Sequence, residues 1–343
     1  MKKILGTSLL VVSSGLAVGG MVTTKPFDDF LPTLQGTKMH KHMVAHFGDL
    51  AGGAIDTTEY SISCALKRAP LTTDVEYLSI PWATLVFAKV FKYHATYKKM
   101  MATIRGEIKK REIADKPIFT VCGTSALRKD MLQIAKELGV THFFSTQVHT
   151  AGVSLDGMKI LPLVFPSWNG VSSAGSKDIL YSFVGYATHK LRLKLFDLPP
   201  RSDVVMIQRD TYYGYQLDRA RKLREIAEYK NIASRSRFGL CPRGSYPNTI
   251  RLSELMQAGA IPVVIADDLL LPDGFNWADC FVWVKERDID HVDSIIRSIT
   301  PEREEEMRSK CLRFYNLLET DPAFSIRYFF DGVELNSESS RVY

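Results

Sequence analysis

Cys241-Pro242-Arg243-Gly244-Ser245-Tyr246-Pro247-Asn248-Thr249-Ile250-Arg251-Leu252-Ser253-Glu254 is the stretch that decides how this chain folds. The apolar run Phe238 to Cys241 reads as a buried strand. A loop rich in Pro, Gly and Asn follows, and from about Ile250 to Ala258 the apolar spacing becomes helical. Gly259 and Pro262 then frame the return to a further apolar run, Ile261 to Ala266. Strand, loop, helix and strand in that order make one unit of a parallel sheet. The start of the helix offers backbone N–H groups without intrahelical partners and the positive end of a dipole, where a diphosphate is a natural ligand. Arg251 stands in the first turn, and its planar fork suits two phosphate oxygens. Glu254 lies three residues on, on the same face. A carboxylate there can accept hydrogen bonds from ribose hydroxyls, as the acidic residue of dinucleotide folds does. The same spacing also makes an ordinary helix-surface pair worth about 0.2–0.5 kcal/mol. No GxGxxG and no GxxxxGK[ST] occurs, which weighs against NAD-dependent oxidoreductases and P-loop enzymes.

Outward from this unit the alternation continues. Downstream come a strand near Phe281 to Val284 and helices from about Asp288 to Ile299 and Glu302 to Leu318. Upstream lie strand Ile179 to Gly185, a helix from about Thr188 to Phe196, strand Val204 to Gln208 and a helix from roughly Tyr213 to Tyr229. Such alternation predicts a doubly wound sheet, which binds ligands at the carboxyl ends of its strands. Residues 162 to 178 are rich in Pro, Ser, Gly and Asn and mark a domain boundary. Before it, the pattern predicts strand Val75 to Pro81, helix Ala83 to Gly106, strand Pro117 to Cys122, a helix to Leu138 ended by Gly139, and strand His142 to Ser145. The reading divides the chain into residues 25–170 and 171–330, with a leader over 1–24 and a tail over 331–343. A length of 343 residues suits two domains at roughly 100–200 residues each.

Lys2 and Lys3 precede an uncharged stretch from Ile4 to Thr24. A basic n-region before an apolar segment reads as a signal peptide or signal anchor, and its length just reaches a membrane span. Thr, Ser and four glycines dilute it, so a first buried strand over Lys3 to Val12 is the competing reading. Membrane association through residues 4–24 and a secretory-pathway location follow from the first reading, a cytoplasmic location from the second. The net charge of +6 suits a phosphate-bearing substrate, an acidic glycan or a membrane surface, though most such charges are solvated helix faces. The dense run Lys98 to Lys116 mixes both signs and carries no aromatic residue after Tyr97, so it does not read as a nucleic-acid site. The five cysteines, Cys64, Cys122, Cys241, Cys280 and Cys311, form no CxxC. Free buried thiols are expected, with one bridge such as Cys241 to Cys280 as the alternative in a secretory compartment. His42 and His46 would share a helix face near His40, but no HExxH or third ligand accompanies them.

Arg237 to Asp288 resembles the exostosin family, glycosyltransferase family 47. The resemblance rests on Cys241-Pro242-Arg243-Gly244, Arg251 to Glu254, Gly259-Ala260-Ile261-Pro262-Val263, Leu271-Pro272 and Asn276-Trp277, in order over about fifty residues. Weaker likeness lies upstream in Asp74-Val75-Glu76-Tyr77-Leu78-Ser79-Ile80-Pro81 and Gly139-Val140-Thr141-His142-Phe143-Phe144, where Glu76 and Thr141 stand in place of the family's usual Asp. Ile179 to Gly185 matches the strand that opens the second domain. The resemblance implies the GT-B arrangement: two Rossmann-like domains facing a central cleft, with a UDP-sugar on the C-terminal domain and a glycan or glycoconjugate acceptor on the other. It implies inverting transfer by direct displacement, in which a cationic site meets the departing diphosphate and a base takes the acceptor proton. Arg251, Arg243 and Gly244 would line the diphosphate, Glu254 would hold ribose, and Gly185, Arg192 and Arg209 would complete the donor site. His149, Glu76 and His142 are the candidate bases. No cofactor and no metal is expected; Asp267-Asp268 follows a strand as an adjacent pair and offers too few oxygens for an octahedral site. A non-catalytic exostosin-like subunit supporting a partner enzyme is the alternative, and a homo- or hetero-dimer is left open.

Overall fold

The computed structural model describes residues 58–110, 115–124, 128–148, 154–164, 170–210 and 218–333, with short pieces before them at 22–23, 34–35, 37–39, 41, 43, 49–50 and 54–55. The candidate base His149, the histidines at 40, 42 and 46, and the leader apart from Val22–Thr23 lie outside the described residues.

Two parallel sheets carry the fold. The first contains β1 (Val22–Thr23), β4 (Glu76–Leu78), β5 (Ile118–Cys122), β6 (His142–Ser145), β7 (Ser154–Leu155) and β8 (Met158–Pro162), in the order β1-β4-β5-β6-β8-β7. All its pairings are parallel except β7 with β8. A separate two-stranded piece pairs β2 (Asp49–Leu50) with β3 (Ala54–Ile55). The β7–β8 hairpin lies in the region read as leading into a linker. Its turn places Asp156 at φ 48° and Gly157 at φ 88°, the paired positive φ that two-residue hairpins favour.

The second sheet contains β9 (Ile179–Tyr186), β10 (Val204–Arg209), β11 (Ser236–Pro242), β12 (Ile261–Ile265) and β13 (Val282–Trp283), all parallel, in the order β10-β9-β11-β12-β13. The apolar residues of the inner strands β9 and β12 are buried on both faces, as a parallel sheet covered by helices requires, whereas the edge strand β10 is half-buried and Trp283 of β13 is exposed. In chain order within this half the strands run 2-1-3-4-5. The order reverses between β9 and β11, and the crevice outside their carboxyl ends is the topological switch point.

Helices α1 (Thr58–Arg68), α2 (Trp82–Val90), α3 (His94–Lys110) and α4 (Lys129–Glu137) serve the first sheet. The single helix expected over Ala83 to Gly106 is in fact α2 and α3. Lys92 takes φ 58° between them, and Phe87 packs on both Phe91 and Tyr93 across the break. Pro81 cannot cap α2 with a side chain, and Glu59 of α1 does so remotely: its Oε1 accepts from the backbone N–H of Ala83 at 3.0 Å and of Gly123 at 2.9 Å.

The second sheet carries α5 (Lys190–Phe196), α6 (Arg219–Arg235), α7 (Arg251–Gln257), α8 (Val292–Arg297) and α9 (Pro301–Thr320). α7 lies directly on β11: a Cβ added to Gly239 would fall 2.3 Å from a Leu255 methyl. The last helix, α10 (Phe324–Asp331), returns to the first sheet. Ala323 and Ile326 are buried there with Tyr77, Phe119 and Phe144, and the Asp331 carboxylate accepts from Thr72 and Thr73 N–H. No helix among the described residues is long and apolar enough to cross a membrane.

Candidate functional site

The switch point gathers most of the donor residues expected from sequence. β9 ends at Val184-Gly185-Tyr186, and β11 ends at Cys241-Pro242, followed by Arg243 and Gly244. Arg192, from the first turn of α5, reaches into the gap between them. Its Nε donates to the Arg243 carbonyl at 3.0 Å, Nη2 to the Pro242 carbonyl at 3.2 Å and Nη1 to the Tyr186 carbonyl at 3.3 Å. The guanidinium is 6% exposed and no carboxylate pairs with it in these bonds. Burial, helped by the neighbouring Arg251 charge, pulls its pKa down to about 10.

Arg251 opens α7. Its Nη2 donates to the Val184 carbonyl at 2.6 Å, and its guanidinium stands 4.8 Å over the Phe183 ring and 5.9 Å over the Tyr229 ring. A Cβ on Gly185 would stand 3.2 Å from that Nη2, so the glycine admits the side chain. Arg243 is shared between two carboxylates, donating through Nη1 to Asp268 Oδ1 at 3.0 Å and Glu286 Oε1 at 3.1 Å. Gly244 faces Arg192 and Thr188: a Cβ there would stand 3.1 Å from Arg192 Nη2 and from Thr188 Oγ1. Three polar atoms around this point are buried without a hydrogen-bond partner: Arg251 Nε, Arg243 Nε and Thr188 Oγ1. Such atoms are rare in folded chains, and each costs about 1–3 kcal/mol if left unmet.

Glu254 is 3% exposed, and its Oε2 accepts from the Tyr229 hydroxyl at 2.8 Å. The carboxylate is thus held by a residue of α6 that the sequence reading passed over. Burial, with the Glu254 charge next, raises the Tyr229 pKa well above its usual value, so the phenol stays a donor. The helix carrying Arg251 and Glu254 is shorter than expected and has no side-chain cap, so the cationic character rests on guanidinium groups more than on a dipole.

Other candidates are elsewhere. Arg209, at the end of β10, is paired with Glu228 and takes no part in the arginine cluster. Glu76 and His142 are each the first residue of a strand. That puts them at the amino edge of the first sheet, whereas the carboxyl edge faces the second half. At about 3.3 Å per residue, the length of β6 separates His142 from the cleft side. His142 instead packs beneath α10, with ring centroids 5.2 Å from Phe329 and 5.3 Å from Phe330, and its Nδ1 lies 2.8 Å from Thr141 Oγ1. Burial and the Lys159 charge lower its pKa. Strand direction, which the motif likeness could not give, corrects both placements.

At the carboxyl edge, Thr146 and Gln147 meet the donor loop. Asn248 Nδ2 donates to the Thr146 carbonyl at 2.7 Å and the Leu163 carbonyl at 3.1 Å, and Gln147 Nε2 donates to the Asn248 carbonyl at 3.3 Å. The two halves are therefore joined three residues before Arg251. Asp267 exchanges backbone and side-chain bonds with Glu286 at 3.0 and 3.2 Å, and Asp268 belongs to Arg243. Among the described residues no group of three or more His, Cys, Asp or Glu is gathered to hold a metal. Cys241 and Cys280 are both free; the Cys280 carbonyl instead accepts from the Cys311 thiol.

The chain is similar to several known proteins. Over 76 residues the chain is 45% identical to the "Probable beta-1,4-xylosyltransferase IRX10L" of Arabidopsis thaliana, covering 22% of this chain and 18% of that protein. Over 75 residues it is 45% identical to the "Probable glucuronosyltransferase Os02g0520750" of Oryza sativa subsp. japonica, covering 21% and 17%. The chain thus matches less than a fifth of the length of these relatives. Among solved structures, Anabaena Alr3699/HepE in complex with UDP and glucose aligns over 79% of this chain and 81% of that one, at 11% identity and a TM-score of 0.40. The Exostosin GT47 domain model matches residues 124–299, just over half of the 343 residues, and the chain therefore belongs to the exostosin family, glycosyltransferase family 47.

Proposed function

We propose that the chain is an inverting glycosyltransferase that moves a sugar from a UDP-sugar, held at the switch point of the second sheet, to a hydroxyl of a glycan. The observation that carries this reading is the convergence of unpartnered Arg251 Nε, Arg243 Nε and Thr188 Oγ1 on the carboxyl ends of β9 and β11. All three are donors, so together they fit an anion with several acceptor oxygens. A diphosphate leaving group supplies those oxygens, and cations fixed in advance lower the cost of its departure. Glu254, on the same short helix as Arg251 and held by Tyr229 of α6, is suited to take a ribose hydroxyl. UDP-sugar is a substrate here, and the chain's own guanidinium groups meet the diphosphate charge. The relatives' names make a pentose or a uronic acid the first sugars to try.

Thermal shift with UDP tests the reading, with GDP and NAD as controls and Arg251→Ala and Glu254→Ala alongside. Ligand at about 100 times its dissociation constant stabilises a fold by roughly 2.7 kcal/mol. UDP stabilisation of the parent and not of the two variants is expected. A folded parent that no nucleotide stabilises would refute it. The second reading, a non-catalytic subunit supporting a partner transferase, is favoured by the places of Glu76 and His142, which put these two of the three candidate bases away from the cleft side, while His149 lies outside the described residues. UDP binding without transfer to any glycan would select it.

A further inference from the structure

We propose that Cys280 and Cys311 form a disulfide when the chain folds under oxidising conditions, and that this bond ties the segment beyond β12 to α9. The inference is independent of the glycosyltransferase reading. Both side chains are fully buried at 0% exposure, and Cys311 Sγ lies 2.9 Å from the Cys280 carbonyl oxygen. Their approach is held from both sides. One residue away, Asp279 pairs with Lys310 at 3.1 Å. Three residues away, the ring of Trp277 stands edge-on to Phe314 with centroids 4.5 Å apart. Lys310 and Phe314 flank Cys311 along α9, and their partners Asp279 and Trp277 both precede Cys280, so the short turn before Cys280 is docked along this stretch of α9. Cys280 itself follows the short 3-10 turn Trp277–Asp279, and Cys311 sits near the middle of α9. Burial, and the Cys280 thiol beside it, raise the Cys311 pKa well above its usual value. The folded, reduced pair is therefore inert, and the bond must form before this core closes.

The chemistry is thiol–disulfide exchange. Each cysteine gives up its thiol proton, the S–S bond forms, and two electrons pass to a low-molecular-weight or protein disulfide, which leaves as two thiols. The consequence reaches the donor site. Between the seam and β12 lie Asp267, bonded to Glu286, and Asp268, which holds Arg243. A covalent tie at Cys280 fixes the far end of that segment.

The test uses the full chain expressed through an oxidising secretory compartment. Free thiols are blocked with N-ethylmaleimide in denaturant, and non-reducing peptide mapping by mass spectrometry follows. The expected result is one linked peptide joining Cys280 to Cys311, with Cys64, Cys122 and Cys241 carrying maleimide. Reduction should lower Tm by roughly 5–10 °C in the parent and leave Cys280→Ser/Cys311→Ser unchanged. Five blocked cysteines in the folded parent, or a bond joining Cys241 to either partner, overturns the proposal.

Discussion

Removing the Tyr229 hydroxyl tests the site most sharply, because Tyr229→Phe keeps the ring under Arg251 and deletes only the bond to Glu254. That bond is 2.8 Å long and joins a neutral donor to a carboxylate that is 3% exposed. Hydrogen bonds to charged groups contribute about 1.5–3 kcal/mol, and burial places this one within that range. A loss of about 2 kcal/mol should lower Tm by roughly 3 °C for a protein of this size. The carboxylate also loses its fixed direction, so UDP affinity should fall by about tenfold, equivalent to about 1.4 kcal/mol. The assay is a double-mutant cycle of Tyr229→Phe with Glu254→Gln, read by thermal unfolding and by UDP titration. A coupling energy of at least about 1 kcal/mol is expected between residues in direct contact. Additive effects, or a Tyr229→Phe protein that binds UDP like the parent, would refute the claim that Tyr229 sets Glu254.

Gly244→Ala should bind UDP about tenfold more weakly while Tm changes by only a few degrees, because its new Cβ stands 3.1 Å from both Thr188 Oγ1 and Arg192 Nη2; isothermal titration checks it. Arg192→Met should lower Tm by roughly 6–12 °C in thermal unfolding, since it leaves three strand-end carbonyls without their donor. Stability should rise with pH through the ordinary His range. His142 has a lowered pKa when folded, so the unfolded chain binds the proton first and stability is lost as pH falls. His189 shifts in the same direction, so the difference between the parent and His142→Gln isolates the part owed to His142, and a parallel pair of Tm–pH curves would count against it. Asp331→Ala should cost about 1–2 kcal/mol by detaching the end of α10 from Thr72 and Thr73, and limited proteolysis should then cut near residue 320 sooner.

Much of the second half was legible because buried parallel strands announce themselves as unbroken apolar runs. Ile179–Tyr186, Val204–Arg209 and Ile261–Ile265 fall within a residue or so of their expected ends. The α2–α3 break was hidden, since Lys92 adopts a positive φ with neither Gly nor Pro to signal it. The β7–β8 hairpin did have a signal, Asp156-Gly157, overlooked beside the longer Pro- and Ser-rich stretch. The return of α10 to the first sheet was unreadable, because a local pattern shows which face of a helix is apolar and not which sheet will cover it. For the site, Arg251, Glu254, Arg243 and Gly244 stand on one loop and its helix and could be read together. Tyr229, Phe183 and Thr188 arrive from other elements, and only the switch-point order of strands brings them there.

That order also assigns different work to three arginines that look alike in sequence. Arg243 meets Asp268 and Glu286, so its charge is balanced before any ligand arrives. Arg192 meets three backbone carbonyls and the Phe183 ring, which satisfy its donors without cancelling its charge. Arg251 gives Nη2 to one carbonyl and rests on two rings, keeping a buried Nε in reserve. A buried cation without a counter-ion is unfavourable, as the lowered pKa of Arg192 shows. The fold tolerates it where the missing anion is brought by a ligand, and the ligand then binds partly by relieving that cost. Arg192 need not touch the diphosphate to strengthen it: its charge lies at the strand ends behind Gly244, in a medium where screening is weak. Nucleotide binding should therefore lose less of its strength in added salt than contacts at exposed arginines would, and replacing Arg192 by lysine should restore the charge without restoring the three-carbonyl geometry.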